Sequence, residues 1–81
     1  MRLLKFEAPW CTKCDQMTKI METMTFPFAI EKVNVDRDRD TALEYGVRGI
    51  PHMILLDEHN NVVKRIGGVL NAEQLQEALV Q

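Results

Sequence analysis

Apolar and polar positions alternate with short periods along the chain, and these periods predict its secondary structure. Residues 2–7 (RLLKFE) form a short, mostly apolar segment that is typical of a β-strand, and a proline at position 9 ends it. Behind this segment, apolar residues recur every three or four positions, which is the spacing of one face of a helix. That face comprises Cys14, Met17, Met21 and Met24.

The middle of the chain predicts a second strand and a short helix. The strand covers residues 30–35 (IEKVNV), which include β-branched residues, and the helix covers residues 39–45 (RDTALEY). Either Asp36 or Asp38 can cap the start of this helix, and Gly46 can end it.

The last third of the chain predicts a hairpin followed by a helix. Residues 52–57 (HMILLD) and 62–66 (VVKRI) are apolar segments joined by a polar turn, which favours an antiparallel pair of strands. Asn71 can cap the last helix, with Gln74 as its partner in a capping box. The residues expected to face inward are Leu75, Ala78 and Leu79.

The predicted order of elements is therefore β-α-β-α-β-β-α, within a single domain of residues 1–81. Strands that alternate with helices are typical of an α/β fold, in which helices cover both faces of a sheet. We expect a central four-stranded mixed sheet flanked by helices. Its early strands should pair in parallel and its last two should form a hairpin.

Charge and hydropathy exclude some classes of partner. Ten basic and twelve acidic residues give a net charge of −2, and residues 36–40 (DRDRD) alternate in sign, which indicates a solvated helix start. The longest apolar run, residues 53–56 (MILL), is far shorter than the about 20 residues that span a membrane. Charged residues also interrupt the N-terminal apolar segment, unlike a secretory signal. We expect no nucleic-acid or membrane partner, and a cytoplasmic location.

The chemistry-bearing segment is APWCTKC, residues 8–14, which holds both cysteines of the chain. A bridge between Cys11 and Cys14 closes a very short loop, so it stabilises the fold little. In a reducing compartment such a pair is more often catalytic or metal-binding. Cys11 is expected at a helix N-terminus, which favours its thiolate, and Lys13 adds a positive charge. Cys11 can then attack a substrate disulfide, and Cys14, one turn later, can resolve the intermediate.

A metal site is the main alternative to redox chemistry. Cys11, Cys14, His52 and His59 are enough ligands for a tetrahedral zinc site. His52 is expected near the cysteines, but His59 lies in the predicted hairpin turn, about 20 Å away at the far end of a strand. No metal ligand is therefore assigned within one chain. A cluster bridged by the cysteine pairs of two molecules stays open.

Two segments of the chain resemble landmarks of the thioredoxin family. FEAPWCTKC (residues 6–14) is similar to its active-site segment, and VRGIPHMILLD (residues 47–57) is similar to a strand that a cis-proline opens. KVNVDRD (residues 32–38) and RIGGVL (residues 65–70) fall in the family's order and spacing. The resemblance covers essentially the whole chain but lacks the family's first strand and helix. The chain is thus similar to a shortened thioredoxin of glutaredoxin-like size.

The resemblance implies roles for individual residues. The first cysteine of the pair corresponds to the nucleophile and the second to the resolving cysteine. Trp10 corresponds to the aromatic residue that flanks the site. Pro51 corresponds to a cis-proline that packs against the disulfide and presents the backbone of Ile50 to a bound peptide. Gly68 corresponds to a glycine that lines the peptide groove.

One position departs from the family pattern. Six residues before the first cysteine, thioredoxins usually carry a buried acid that relays a proton to or from the resolving thiol, and here that position is Lys5. Glu7 stands two residues later, on the same face of the predicted strand. We hypothesise that the two charges pair and that Glu7 takes over the proton relay. In the alternative, both charges lie on a partly exposed strand and are solvated.

The resemblance also implies partners. A monomeric thiol–disulfide oxidoreductase of this family reduces protein disulfides and needs no cofactor of its own. A flavin-dependent reductase that uses NADPH is the expected recycling partner, and ribonucleotide reductase is a candidate client. The alternatives are a glutaredoxin-like protein that glutathione recycles, and a carrier that binds a metal or cluster through its cysteines.

Overall fold

All seven predicted elements are present in the computed structural model of the chain, which describes residues 1–80. Their bounds differ from the expected ones by at most two residues, and only position 81 of the predicted domain lies outside the described residues. The elements are β1 (Arg2–Glu7), α1 (Thr12–Glu22), β2 (Ala29–Asn34), α2 (Arg39–Glu44), β3 (His52–Leu56), β4 (Val62–Gly67) and α3 (Ala72–Leu79).

The first helix is shorter than the spacing of its apolar positions suggests. α1 ends at Glu22, and Thr23 caps it by donating a hydrogen bond from its hydroxyl to the carbonyl oxygen of Ile20 at 2.7 Å. The expectation that Met24 extends the helical face is therefore wrong. Met24 lies beyond the helix and packs, partly buried, against the same side of the core as the helix.

The four strands form one mixed sheet in the order β2-β1-β3-β4. β1 pairs with β2 in parallel and with β3 antiparallel, and β3 and β4 form the antiparallel hairpin. β1 and β3 are thus the central strands, paired on both sides. The structure confirms the expected four-stranded mixed sheet.

The helices cover both faces of this sheet. Successive side chains of a strand point to opposite faces, so β1 and β3 supply apolar residues to both. Each fully buried aliphatic side chain contributes about 1.5 to 3 kcal/mol relative to an exposed one. The cluster under α1 and α3 contains Leu3, Met17, Met21, Met53, Leu55, Ile66, Leu75 and Leu79. The cluster under α2 contains Leu4, Phe6, Val33, Ala42, Ile54 and Leu56.

Side-chain caps set the starts of the two later helices. Asp38, rather than Asp36, caps α2 by accepting a hydrogen bond from the backbone N–H of Thr41 at 3.2 Å. At α3 the expected capping box forms: the side chain of Asn71 accepts from the N–H of Gln74 at 2.8 Å, and the Gln74 side chain accepts from the N–H of Asn71 at 3.0 Å.

Within residues 1–80, no helix has the length and apolar content that crossing a membrane requires.

The hairpin turn depends on Asp57, directly after β3. Its Oδ1 accepts hydrogen bonds from the backbone N–H groups of Asn61 at 2.9 Å and His59 at 2.8 Å. Asn60 adopts a positive φ of 64° inside this turn, a conformation that asparagine tolerates better than most residues. The hydrogen bond from Asn61, followed by that from His59, lowers the pKa of the Asp57 carboxyl below its usual 3.8.

We expect Asp57→Asn to destabilise the protein at neutral pH but not in acid. Because folding lowers the Asp57 pKa, the carboxylate adds stability above the pKa of the unfolded chain, and that stability is lost as the pH falls through the folded-state pKa. Urea unfolding of the disulfide form should therefore give a lower midpoint for the variant near pH 7, and the difference should shrink near pH 3. Glu58→Gln, at an exposed neighbouring position, is the control. A difference that does not change with pH would contradict this role of the charge.

Candidate active site

The cysteine pair lies at the junction between β1 and α1. The strand ends at Glu7, and the backbone N–H of Cys11 donates to the carbonyl oxygen of Ala8 at 3.2 Å, which turns the chain toward the helix. Cys11 is the N-cap of α1, with extended backbone angles, and Cys14 lies in the first turn. The helix therefore begins where the sequence predicts.

The two cysteines form a disulfide, with 5.2 Å between their Cα atoms. The backbone N–H of Cys14 donates to the Sγ atom of Cys11 at 3.1 Å. The Sγ atom of Cys11 thus occupies the place that a capping oxygen takes at other helices, where unpaired N–H groups favour a negative charge. Cys11 is 7% exposed and Cys14 is 2% exposed, so the first cysteine is the more accessible one.

Residues from other loops pack against the pair. Cys11 and Cys14 form a small apolar cluster with the buried Ala8 and the partly buried Val35 and Ile50. The cluster joins the loops that follow β1 and β2 to the loop that precedes β3. It brings Ile50, expected beside a bound peptide, into the surroundings of the disulfide.

The loop before β3 and the end of β4 meet at the same edge of the sheet. The peptide bond between Ile50 and Pro51 is cis, and Pro51 is buried. The backbone N–H of Gly68 donates to the carbonyl oxygen of Pro51 at 2.9 Å, and Gly68 has a positive φ of 83°, which glycine adopts without strain. Ile50, Pro51 and Gly68, which the resemblance places around a bound peptide, are therefore neighbours.

Trp10 is 68% exposed, in agreement with a role at the surface of the site rather than in the core. Its indole Nε1–H donates to Oδ2 of Asp36 at 2.7 Å. Sequence reasoning missed Asp36 as a site residue and considered it only as a helix cap. The expected parallel pairing of β1 with β2 could have indicated this contact, because it places the loops after both strands side by side.

Lys5 and Glu7 form the ion pair that the sequence suggests. Lys5 Nζ lies 2.5 Å from Oε1 of Glu7, and it also donates a hydrogen bond to the hydroxyl of Thr18 on α1. The Lys5 side chain is 2% exposed and that of Glu7 is 25% exposed. The alternative in which both charges are solvated is therefore wrong, because β1 is a central strand and α1 covers this face.

A small cavity lies beside Glu7 of this ion pair and Cys14. Its volume is about 110 Å³, and Glu7 and Cys14 both line it. Sequence reasoning also missed Thr18, which the spacing of four residues after Cys14 places on the same face of α1. The remaining lining residues are Ala8, Pro9, Asp15 and Asn34.

The structure does not assemble the four ligands of the metal alternative. Within residues 1–80, no group of three or more His, Cys, Asp or Glu side chains is arranged to hold a metal ion. His59 lies in the hairpin turn, where its backbone bonds to Asp57. His52 begins β3 beside Gly67, and burial, together with the charge of Arg65, lowers its pKa below the usual 6.5.

Comparisons with known proteins agree with this fold and site. The family model described as thioredoxin matches residues 1–81. The thioredoxin of Haemophilus influenzae is 34% identical, over 83% of this chain and 66% of its own length. A prophage-derived thioredoxin-like protein of Bacillus subtilis is 35% identical, over 84% of this chain and 82% of its own length. The structure of a mutant thioredoxin from Halobacterium salinarum matches with a TM-score of 0.87 at 29% identity, over 96% of this chain and 70% of that chain.

The chain therefore belongs to the thioredoxin family, and the resemblance inferred from its motifs is confirmed. It spans about two thirds of the length of the Haemophilus thioredoxin. The structural match covers nearly the whole chain, which means that nearly all of its fold has a counterpart in a thioredoxin.

We expect Lys13→Ala to weaken the thiolate of Cys11. Lys13 is exposed in the first turn of α1, two residues after Cys11, and an exposed charge contributes about 0.2 to 1 kcal/mol. After reduction, alkylation of Cys11 by iodoacetamide near pH 7 should slow by about 1.4- to 5-fold. The reduction potential should also fall, since the reduced form loses a stabilising charge.

Lys19→Ala, in the last turn of the same helix, is the matched control for this experiment. It removes an equal charge far from Cys11. Equal alkylation rates for both variants and the unmodified protein would mean that the helix N-terminus alone stabilises the thiolate.

Proposed function

We propose that this protein reduces disulfide bonds of other proteins and is itself oxidised to the Cys11–Cys14 disulfide. The general class of reaction, thiol–disulfide oxidoreduction, follows from membership of the thioredoxin family and from the disulfide between the two cysteines. The observation that carries the proposal is the placement of Cys11 at the N-cap of α1, with Cys14 bonded to its sulfur through the backbone.

The reaction has two exchange steps. The Cys11 thiolate attacks one sulfur of the substrate disulfide, which forms a mixed disulfide and releases the other substrate sulfur as a thiolate that takes up a proton. Cys14 then loses its proton and attacks the Cys11 sulfur, which forms the Cys11–Cys14 bond and releases the second substrate thiolate. The substrate gains two electrons, and the protein dithiol loses two.

Glu7 is the proposed acceptor of the Cys14 proton. It is the carboxylate that shares the small cavity with Cys14 and is anchored by the buried Lys5. Asp15 lines the same cavity, but it is exposed on the surface of α1 and has no anchoring ion pair among residues 1–80. Proton transfer to a positioned carboxylate accelerates the second step.

The substrate is proposed to dock as an extended segment beside Ile50, Pro51 and Gly68. Extended peptides that pair with exposed backbone gain affinity from main-chain hydrogen bonds, whichever side chains they carry. Trp10, held by Asp36, adds an exposed aromatic surface at the same edge. This arrangement supports a range of protein clients, of which ribonucleotide reductase is one candidate.

The proposed recycling partner is a flavoenzyme of the thioredoxin reductase kind, which passes electrons from NADPH to the Cys11–Cys14 disulfide. The chain itself is proposed to need no cofactor and to act as a monomer. A reducing compartment such as the cytoplasm suits this cycle, since cysteines there are kept as thiols. The glutaredoxin-like alternative differs only in taking its electrons from glutathione.

Single cysteine variants should distinguish the two roles. Cys14→Ser should accumulate a mixed disulfide with a substrate protein, because Cys11 still attacks but nothing resolves the product. Cys11→Ser should accumulate none, because the remaining Cys14 is 2% exposed. Non-reducing electrophoresis and mass spectrometry of the trapped species give the readout. Equal trapping by both variants would refute the assignment of nucleophile and resolving cysteine.

The source of electrons should separate a thioredoxin from a glutaredoxin. We expect disulfide reduction in insulin to proceed with NADPH and a bacterial thioredoxin reductase, and to be at least tenfold slower with glutathione and glutathione reductase at the same concentrations of this protein and of insulin. Cys11→Ser is the inactive control in both systems. Faster turnover with glutathione would favour the glutaredoxin-like alternative.

A further inference from the structure

The buried ammonium of Lys5 is the least expected feature next to the proposed site. Its side chain is 2% exposed, and its two side-chain partners are the Glu7 carboxylate and the Thr18 hydroxyl. Moving a charged ammonium out of water costs several kcal/mol unless partners compensate for it. Replacing a buried ion pair by apolar residues of similar volume is often neutral or stabilising. Stability alone therefore does not account for a lysine at this position.

The ammonium joins the two elements on which the second exchange step depends. Lys5 and Glu7 lie on the same face of β1, two residues apart, and Thr18 lies one helical turn after Cys14 on α1. One ammonium thus holds the proposed proton acceptor on the strand and bonds to the helix that carries the resolving thiol. Glu7, Cys14 and Thr18 all line the cavity of about 110 Å³.

A second, larger groove lies beside the hydrogen bond between Lys5 and Thr18. Lys5 and Thr18 line it together with Met21, Ile30 and the charged residues Glu22 and Lys32, and its volume is about 310 Å³. The titratable side chains near Glu7 are therefore Lys5 on β1 and Cys14 and Asp15 on α1. Glu22 and Lys32 are farther away and line the second groove. The negative charge of Asp15 disfavours a second negative charge on Glu7 in the same cavity, and the positive charge of Lys5 offsets this repulsion.

We propose that Lys5 and Thr18 are positioning residues that hold the Glu7 carboxylate, ionised and directed at the cavity, for removal of the Cys14 proton. This inference rests on the proposed function, in which Glu7 is the acceptor. In the step itself, the Cys14 S–H bond breaks, the proton moves to a Glu7 oxygen, and the electron pair stays on sulfur for the attack on Cys11. Lys5 and Thr18 contact neither sulfur and keep their own protons.

The test follows the two exchange steps separately. Reduced protein is mixed with one equivalent of a nitrobenzoate aromatic disulfide, which releases one coloured thiolate when Cys11 attacks and a second when Cys14 resolves the intermediate. The rate of the second release is measured by stopped flow from acid to alkaline pH. The variants are Glu7→Gln, Lys5→Met, Thr18→Val and Thr18→Ser, with Lys19→Met and Thr25→Val as exposed controls.

We expect Glu7→Gln to slow the second release by about tenfold to 100-fold, since a positioned general base contributes at least this much. Thr18→Val should slow it by about threefold to tenfold, the change that corresponds to one hydrogen bond, and Thr18→Ser should restore it. Lys5→Met should slow it and move the pH dependence to higher pH, because the Glu7 carboxylate loses the positive charge that favours its ionised form. The first release and both control variants should be unchanged.

The possible failures are distinguishable. If the second release is slow in Glu7→Gln, but as fast in Lys5→Met and Thr18→Val as in the unmodified protein, Glu7 is the acceptor and the positioning role is refuted. If Glu7→Gln is as fast as the unmodified protein, the acceptor role fails and the inference fails with it, whereas cysteine trapping still tests disulfide reduction. If Lys5→Met does not fold, as judged by its urea transition, the pair of Thr18 variants decides. Equal slowing by Thr18→Ser and Thr18→Val would then refute the inference.

Discussion

The pairing of β1 on both of its sides is the constraint on which the active site depends. Because β1 runs parallel to β2 and antiparallel to β3, the ends of β1 and β2 and the start of β3 lie at one edge of the sheet. Cys11, Asp36 and Pro51 come from the three loops at that edge. The hairpin adds Gly68 just after the end of β4. Residues from four separate segments thus meet without any long loop.

The same pairing explains why a charge is buried beside the cysteines. A central strand has no solvent-exposed edge, and α1 covers one of its faces, so any polar side chain on that face needs a partner within the protein. Lys5 finds two, on β1 and on α1. Where relatives of this family usually carry an acid, this chain carries the opposite charge, and the acid stands two residues nearer to the cysteines, at Glu7. The carboxylate still reaches the cavity of Cys14.

Local patterns predicted the elements well because the signals that specify them are local. The capping box of Asn71 and Gln74 and the apolar spacing on α1 lie within a few residues of the structure that they determine. Local patterns do not determine the burial of Lys5, because it depends on which strand is central, and strand order is a long-range property. The bond between Trp10 and Asp36 was missed for the same reason: it joins residues 26 positions apart that only the β1–β2 pairing brings together.

The free edge of β2 raises the question of self-association, since an exposed edge strand is a template for pairing with another chain. In a two-fold antiparallel pair of strands, a residue near the axis lies opposite its own copy. Two registers pair most of β2 with its copy. Glu31 lies opposite its own copy in one register and Lys32 in the other, and both residues are exposed. Each register therefore places like charges directly opposite one another, which destabilises the pair. The charges on this strand therefore act against pairing with a second copy of the chain, which supports the proposed monomer.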